Sequence, residues 1–182
     1  MALTRKWEKV TFRTIPVYLL ALALMFEAHP TPVSFLSGVV LILAGEAIRI
    51  WAAGHLEKNR ELTTSGPYAY LKNPLYFGTF WIMLGFFLIS RAFFLMAVGL
   101  VGFLIYYAPY KKRREGKRLL DRFGERWENY DRAVPDYFPR VTPYERRGRR
   151  RWSFPLVLEN DEQGTAAAVL LGIAVLALRS WM

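Results

Sequence analysis

The chain has 182 residues, of which 53% are hydrophobic and 22% are charged, and its formal net charge is +10. It contains no cysteine and only two histidines, which excludes disulfides, thiolate metal sites and a cysteine nucleophile and argues against a histidine-rich metal centre. Apolar and charged residues fall in separate blocks, so we expect one membrane domain whose excess Lys and Arg lie near anionic lipid and do not bind nucleic acid.

The first apolar block follows a basic N-terminus and predicts a membrane helix near residues 14–27. The residues after it, Glu27 to Pro30, do not form a convincing small-residue cleavage site for a signal peptidase, so we expect this helix to be retained. Residues 33–55 form a second apolar block, close to the roughly 20 residues that a bilayer requires.

Glu46 and Arg49 lie one turn apart within the second predicted helix. Ionisable side chains at membrane depth either pair with each other or take part in function. The sequence favours a mutual ion pair near the interface that locks helix packing, and direct chemistry remains the alternative.

A polar, turn-rich segment, residues 56–74, follows. Gly66-Pro67 predicts a turn, and Asn73-Pro74 predicts a helix start with Asn at the cap and Pro at the first helical position. Such a helix end directs unpaired N–H groups and a positive dipole at the loop, which suits an anionic ligand group. The alternative is that these residues are ordinary turns between helices.

Residues 72–89 and 92–109 predict a tight helical hairpin, with Ser90-Arg91 at its turn and Lys72 extending towards the interface. Residues 110–152 are strongly charged, and their apolar positions recur at helical spacing until Pro135 and Pro139 end the pattern. The Arg-rich stretch 146–151 favours contact with lipid headgroups. Residues 165–181 predict a last membrane helix.

These elements predict an all-α polytopic membrane protein with about five transmembrane helices. Positive charges place the N-terminus and both polar segments, 56–74 and 110–152, on the cytoplasmic side. The two segments would then share one site. In that site the helix N-terminus would bind a carboxylate, and Glu115 would bind an ammonium. The rings of Tyr68, Tyr70 and Tyr76 would contact a cation or a planar ring. These are the groups of an amino acid attached to a nucleoside.

Ordered motifs along the chain strengthen this prediction. They are Ser65-Gly66-Pro67-Tyr68, Lys72-Asn73-Pro74-Leu75-Tyr76-Phe77-Gly78, Glu115 through Phe123-Gly124 to Trp127-Glu128-Asn129-Tyr130, and Val134 to Pro139. Together they resemble the isoprenylcysteine carboxyl methyltransferase family over roughly residues 45 to 140, and they are similar to the phospholipid methyltransferases.

The resemblance implies an integral membrane enzyme without a Rossmann domain. It would bind S-adenosyl-L-methionine from the cytosol, take a lipid or prenylated substrate from the bilayer and release S-adenosyl-L-homocysteine. The positions matching the family's cofactor-binding residues are Arg60, Glu61, Leu62, Thr63, Tyr68, Asn73, Pro74, Leu75, Tyr76 and Glu115.

The chain departs from the family pattern at several of these positions. Arg60 replaces a His, Lys72 and Asn73 replace Arg and His, and Gly116 replaces the second of two adjacent Glu residues. Lys111 matches an arginine that faces the substrate carboxylate, so the resemblance assigns the catalytic roles to Lys111 and Glu115. A Lys offers a point charge where Arg offers a fork, which predicts altered substrate recognition.

A carboxylate is the favoured methyl acceptor, because it is already nucleophilic at neutral pH and needs only positioning and desolvation. An amine lipid is the first alternative, since its ammonium must lose a proton before it can react. A non-catalytic membrane scaffold is the second. A thiol or hydroxyl acceptor also remains open, and the sequence does not specify the oligomeric state.

Overall fold

The computed structural model describes residue 19 and residues 23–24, 26–58, 60–102 and 108–180, apart from the side chains of 108–115. This part of the chain contains seven α-helices and a 3-10 turn at Gly66–Ala69, and no strand, which confirms the predicted all-α class. The helices are α1 (Pro32–Ala53), α2 (Pro74–Ser90), α3 (Phe93–Val101), α4 (Ala108–Phe123), α5 (Glu125–Ala133), α6 (Phe154–Glu159) and α7 (Glu162–Arg179).

Two helices, α1 and α7, are long and apolar enough to cross a membrane by length and composition, and α2 is a shorter apolar helix. Along α1, large apolar side chains stand exposed at helical spacing, as expected of a face that meets lipid: Val33, Leu36, Val40 and Leu43. The predicted helix near residues 14–27 falls mostly outside the described residues. The arrangement with five membrane helices therefore stays a prediction.

A reciprocal cap begins α1. The Thr31 hydroxyl accepts from the Ser34 N–H at 3.2 Å, and the Ser34 hydroxyl accepts from the Thr31 N–H at 2.9 Å. Pro32 takes the first helical position, where its missing N–H would have had no helical partner. These contacts fix the start of α1 at Pro32.

Glycines bring α1 and α2 into direct backbone contact. A Cβ placed on Gly38 would lie 2.5 Å from the Gly85 carbonyl oxygen, and one on Gly45 would lie 2.5 Å from the Gly78 oxygen. Gly38 and Gly45 lie two helical turns apart on α1, and Gly78 and Gly85 lie two turns apart on α2, so the four glycines form one stripe of contact. Because the earlier glycine of α1 meets the later glycine of α2, the two helices run antiparallel. This close packing fixes the start of α2 beside the end of α1.

The predicted hairpin turn lies where the sequence places it. Arg91 adopts a left-handed conformation with φ 58° and donates its N–H to the Phe87 carbonyl, and α3 begins at Phe93. Asn73 occupies the predicted cap position of α2 and Pro74 the first helical position, but the Asn73 side chain forms no capping hydrogen bond. The part of the predicted 92–109 helix at residues 103–107 lies outside the described residues.

The charged segment folds as two helices, α4 and α5, because Gly124 separates them. Its backbone has φ 52° and ψ −129°, which residues with a Cβ rarely adopt. The helical segment therefore breaks at Gly124, eleven residues earlier than Pro135, where the sequence predicts the break. Tyr130 of α5 is buried and donates its hydroxyl to the Tyr68 carbonyl at 2.7 Å, which ties α5 to the polar loop.

Candidate functional site

A cavity of about 960 Å³ lies among the polar loop, α4, α5 and the start of α7. The two segments that the sequence places in one compartment, 56–74 and 110–152, thus both contribute to its wall. The residues from the predicted cofactor set that line it are Glu61, Leu62, Thr63, Tyr68, Asn73, Pro74, Leu75 and Tyr76.

Arg60 is not among the residues that line the cavity. Its side chain is exposed and lies 3.9 Å from Glu159 in an ion pair at the surface. This placement gives Arg60 no contact with the cavity, in contrast to its neighbours Glu61 and Leu62, which line it.

The side chains of Lys111 and Glu115 lie outside the described residues, so their roles stay predictions. Their positions on α4 are defined by its backbone. Position 115 directly precedes Gly116, which lines the cavity. Positions 111 and 115 lie eight and four residues before Leu119, which also lines the cavity, so the three share one stripe of the helix.

Aromatic side chains form much of the cavity wall. The aromatic residues that line the cavity are Tyr68, Tyr76, Phe123, Trp127, Tyr130 and Tyr137. Such faces suit a planar ring or a cation. Burial raises the pKa of the Tyr130 phenol far above its usual value, so this hydroxyl stays protonated and remains a donor.

Lys72 is buried in the cavity wall. Its Nζ lies 2.7 Å from Asp131 Oδ1 and 3.2 Å from Asp136 Oδ1, and its side chain is only 6% exposed. The expectation that Lys72 extends towards the membrane interface was wrong, because two carboxylates that follow it by some 60 positions lie within reach. This cation instead fixes the start of α2 against α5.

Arg49 pairs with α7, not with Glu46. Its Nη2 donates to Glu162 Oε1 at 2.7 Å, its Nε donates to Oε2 at 3.1 Å, and its Nη1 donates to Thr79 Oγ1 at 2.6 Å. The expected mutual pair of Glu46 and Arg49 is therefore wrong, since Glu162 offers a forked partner across the bundle. Arg49 and Glu162 both line the cavity.

Glu46, one turn before Arg49 on α1, is 8% exposed. Within the described part of the chain neither of its carboxyl oxygens has a hydrogen-bond partner. Burial of a polar group without a partner is unfavourable, so this side chain calls for an explanation beyond packing.

Arg150 reaches back to the polar loop from the Arg-rich stretch. Its guanidinium lies 2.8 Å from Glu57 and 2.7 Å from Glu61, and both of these acids line the cavity. The interpretation of the whole stretch as a headgroup patch is therefore wrong for Arg150. Its neighbours remain exposed: Arg146, Arg147, Arg149 and Arg151.

His55 packs against the same loop at Ser65 and Gly66. Its Nδ1 lies 3.1 Å from the Ser65 hydroxyl, and Gly66, with φ 57°, packs so closely on the imidazole that a Cβ could not fit. Burial, reinforced by the nearby Arg150 charge, lowers the pKa of His55. The ring is thus held neutral under the turn that carries Tyr68.

The model of the phospholipid methyltransferase family matches residues 33–126, more than half of the chain. The chain belongs to the phospholipid methyltransferase family. This confirms the resemblance found in the motifs, because the family is part of the same group of integral membrane methyltransferases as the isoprenylcysteine carboxyl methyltransferases. The matched residues include the whole polar loop and α4.

Two relatives of the chain carry names that refer to metal resistance. The cobalt-zinc-cadmium resistance protein CzcN of Cupriavidus metallidurans is 34% identical over 118 residues, which are 64% of this chain and 51% of that protein. The nickel-cobalt-cadmium resistance protein NccN of Alcaligenes xylosoxydans xylosoxydans is 32% identical over 107 residues, 58% of this chain and 48% of that protein. The chain spans about half the length of these curated relatives. No solved structure matches it.

The phospholipid methyltransferase match does not include every residue that shapes the cavity and its polar loop. Asp131, Arg150 and Glu162, which pair with residues of the matched region, all follow its last residue, 126. No short motif marks these partners, and sequence analysis therefore missed them.

Proposed function

We propose that the protein transfers a methyl group from S-adenosylmethionine to a membrane-embedded lipid or prenylated acceptor. The observation that supports this best is the convergence of eight expected cofactor residues on one cavity of about 960 Å³. Small-molecule sites have volumes of roughly 300–1,000 Å³, so the cavity is large enough for a nucleoside donor together with the reactive end of an acceptor.

The residues around the cavity fit the chemical groups of this cofactor. The rings of Tyr68 and Tyr76 suit an adenine or a sulfonium, and the N-terminus of α2 at Pro74 suits a carboxylate. Glu61 on the loop and Glu115 on α4 would hold ribose hydroxyls or the ammonium. When bound, S-adenosylmethionine supplies an electrophilic methyl group, and S-adenosylhomocysteine remains after transfer.

With a carboxylate acceptor, the protein would act by positioning. The acceptor oxygen is already ionised at neutral pH, so it forms its new bond to carbon without losing a proton. Lys111 would hold this carboxylate, while Leu119, Leu120 and Phe123 of α4 provide apolar surface that excludes water.

An amine acceptor is the second candidate, and one observation favours it. Glu46, Arg49 and Glu162 form a buried cluster with two acids and one cation, which leaves one negative charge uncompensated when both acids are ionised. Glu162 faces the cavity, so an ammonium head would restore the balance and a carboxylate would not.

The names of the two relatives are compatible with a lipid-modifying role. Methylating a lipid carboxylate removes a negative charge from the membrane surface, and negative headgroups attract cations. A change of this kind would alter the concentration of metal cations at the bilayer without any metal site in the enzyme.

Membranes that contain the protein, incubated with S-adenosylmethionine labelled in its methyl group, test the proposal. Label in the lipid extract that base hydrolysis releases as methanol identifies a methyl ester, and base-stable label identifies an N-methyl amine. Membranes with the Tyr68→Ala variant are the control. No label above that control, together with no binding of S-adenosylhomocysteine by calorimetry, would favour the non-catalytic scaffold.

A further inference from the structure

Residues 140–153, here called the strap, run alongside the polar loop, and their backbone donates three hydrogen bonds to it and a fourth to Gly54, which precedes it. The backbone N–H donors and their acceptors are Arg140 to the Tyr70 carbonyl at 3.0 Å, Tyr144 to the Ala69 carbonyl at 2.8 Å, Gly148 to Thr64 Oγ1 at 2.8 Å and Ser153 to the Gly54 carbonyl at 2.9 Å. The strap lies beyond the residues that the family model matches. It is thus a separate structural support for the loop.

Arg150 is the point where the strap engages acidic side chains of the loop. Its Nη1 and Nη2 donate to the two oxygens of Glu57 at 2.8 and 3.1 Å, and its Nε donates to Glu61 Oε1 at 3.0 Å. One planar guanidinium thereby fixes two carboxylates that lie four residues apart. Both acids line the cavity, whereas the described wall does not include Arg150.

We propose that Arg150 is a positioning residue, which holds Glu57 and Glu61 at the rim of the cavity in the geometry that receives the cofactor. This inference rests on the function proposed above. Without the guanidinium, the two carboxylates would repel each other and the loop would lose its link to the strap.

The geometry of the guanidinium is central to this role. Its side chain is 29% exposed, and a single ion pair at that exposure contributes little. A fork shared between two acids, on a segment already bound through its backbone, orders both side chains at once. A lysine offers one point charge and would not reproduce it.

Calorimetric titration of the full-length protein in detergent tests the proposal, with S-adenosylmethionine and S-adenosylhomocysteine as separate probes. We expect Arg150→Ala to weaken the affinity for both by about tenfold, which equals about 1.4 kcal/mol. Arg150→Lys should recover only part of the loss. Arg149→Ala, which removes an exposed neighbour of the same charge, should stay within about twofold of the wild type.

The two probes separate positioning from simple charge, because only S-adenosylmethionine carries a sulfonium cation. Loss of Arg150 as a charge alone would make the rim more negative and tighten S-adenosylmethionine binding relative to S-adenosylhomocysteine. Such relative tightening of S-adenosylmethionine binding would overturn the proposal. Full recovery of affinity by Arg150→Lys would also overturn it, as would unchanged affinities in Arg150→Ala.

A wild-type protein that binds neither probe would instead refute the proposed function. If Arg150→Ala fails to fold, as judged by tryptophan fluorescence on heating, the Arg150→Lys titration decides. Glu57→Gln and Glu61→Gln combined provide a further check. In that background Arg150→Lys should change either affinity by less than about twofold, and a larger change would overturn the role of the fork.

Discussion

Arg49 of α1 and Glu162 of α7 form a forked ion pair, with Nη2 2.7 Å from Oε1, and their side chains are only 14% and 4% exposed. The pair joins α1 to α7 at the wall of the cavity. Breaking it would leave one charge buried without its partner.

We therefore expect Glu162→Gln to lower the free energy of unfolding by about 3–5 kcal/mol, the usual cost of breaking a buried pair. In the Glu46→Leu background, which removes the third charged side chain of the cluster, combining Arg49→Leu with Glu162→Leu should recover much of the stability lost in Glu162→Gln, because no uncompensated charge remains. Tryptophan fluorescence during denaturant unfolding in detergent measures both. Equal destabilisation by the single and the combined change would contradict the role of the pair.

The glycine stripe between α1 and α2 leads to a second prediction. Gly45→Ala should lower the free energy of unfolding by about 1–3 kcal/mol, because the new methyl group would collide with the backbone of α2 and force the helices apart. Gly164→Ala on α7 is the matched control, since nothing lies within 4 Å of its added Cβ. It should be neutral or stabilising. Equal losses of thermal stability in both variants would argue against close contact at Gly45.

The limits of sequence analysis follow from the range of the interactions. Local signals, such as Asn73-Pro74 at a helix start and Ser90-Arg91 at a hairpin turn, located their elements well. The partner of Arg49 could not be found in this way, because Glu162 is 113 positions away and Glu46 is only three.

Some of what was missed did have a signal. The equal spacing of seven residues between Gly38 and Gly45 and between Gly78 and Gly85 was present in the sequence and indicates two faces of small residues. The asparagine at position 73 illustrates the opposite case, because the residue type fits a cap although its side chain does not act as one. The role of Lys111 rests on the family resemblance alone, whereas that of Glu115 is also expected from the shared compartment of the two polar segments.

Stability should fall as the pH is lowered through the titration of His55. Burial lowers its folded pKa below the unfolded value of about 6.5, so the unfolded chain binds the proton more readily. This contribution is fully present above the unfolded pKa and is lost as the pH falls through the folded pKa. His55→Gln should remove that part of the pH dependence. Unfolding temperatures measured from pH 7.5 to 5.0 that fall equally in both proteins would contradict this.

Glu46 leads to a prediction that separates stability from function. Because its carboxyl has no hydrogen-bond partner in the described chain, Glu46→Leu should raise the free energy of unfolding by about 1–3 kcal/mol. If the acidic cluster receives an amine acceptor, the same variant should also raise the acceptor's KM. Loss of stability in Glu46→Leu would contradict this prediction.

Binding of S-adenosylhomocysteine to the purified protein tests most directly whether the cavity between the polar loop and α4 is a cofactor site. We predict saturable binding to a single site in the wild type, and loss of binding in Leu119→Trp, whose indole would fill the cavity from α4. Leu170→Trp on the exposed face of α7 is the control and should bind normally. Absence of binding to the wild type, or equal binding to wild type and Leu119→Trp, would contradict the proposed site.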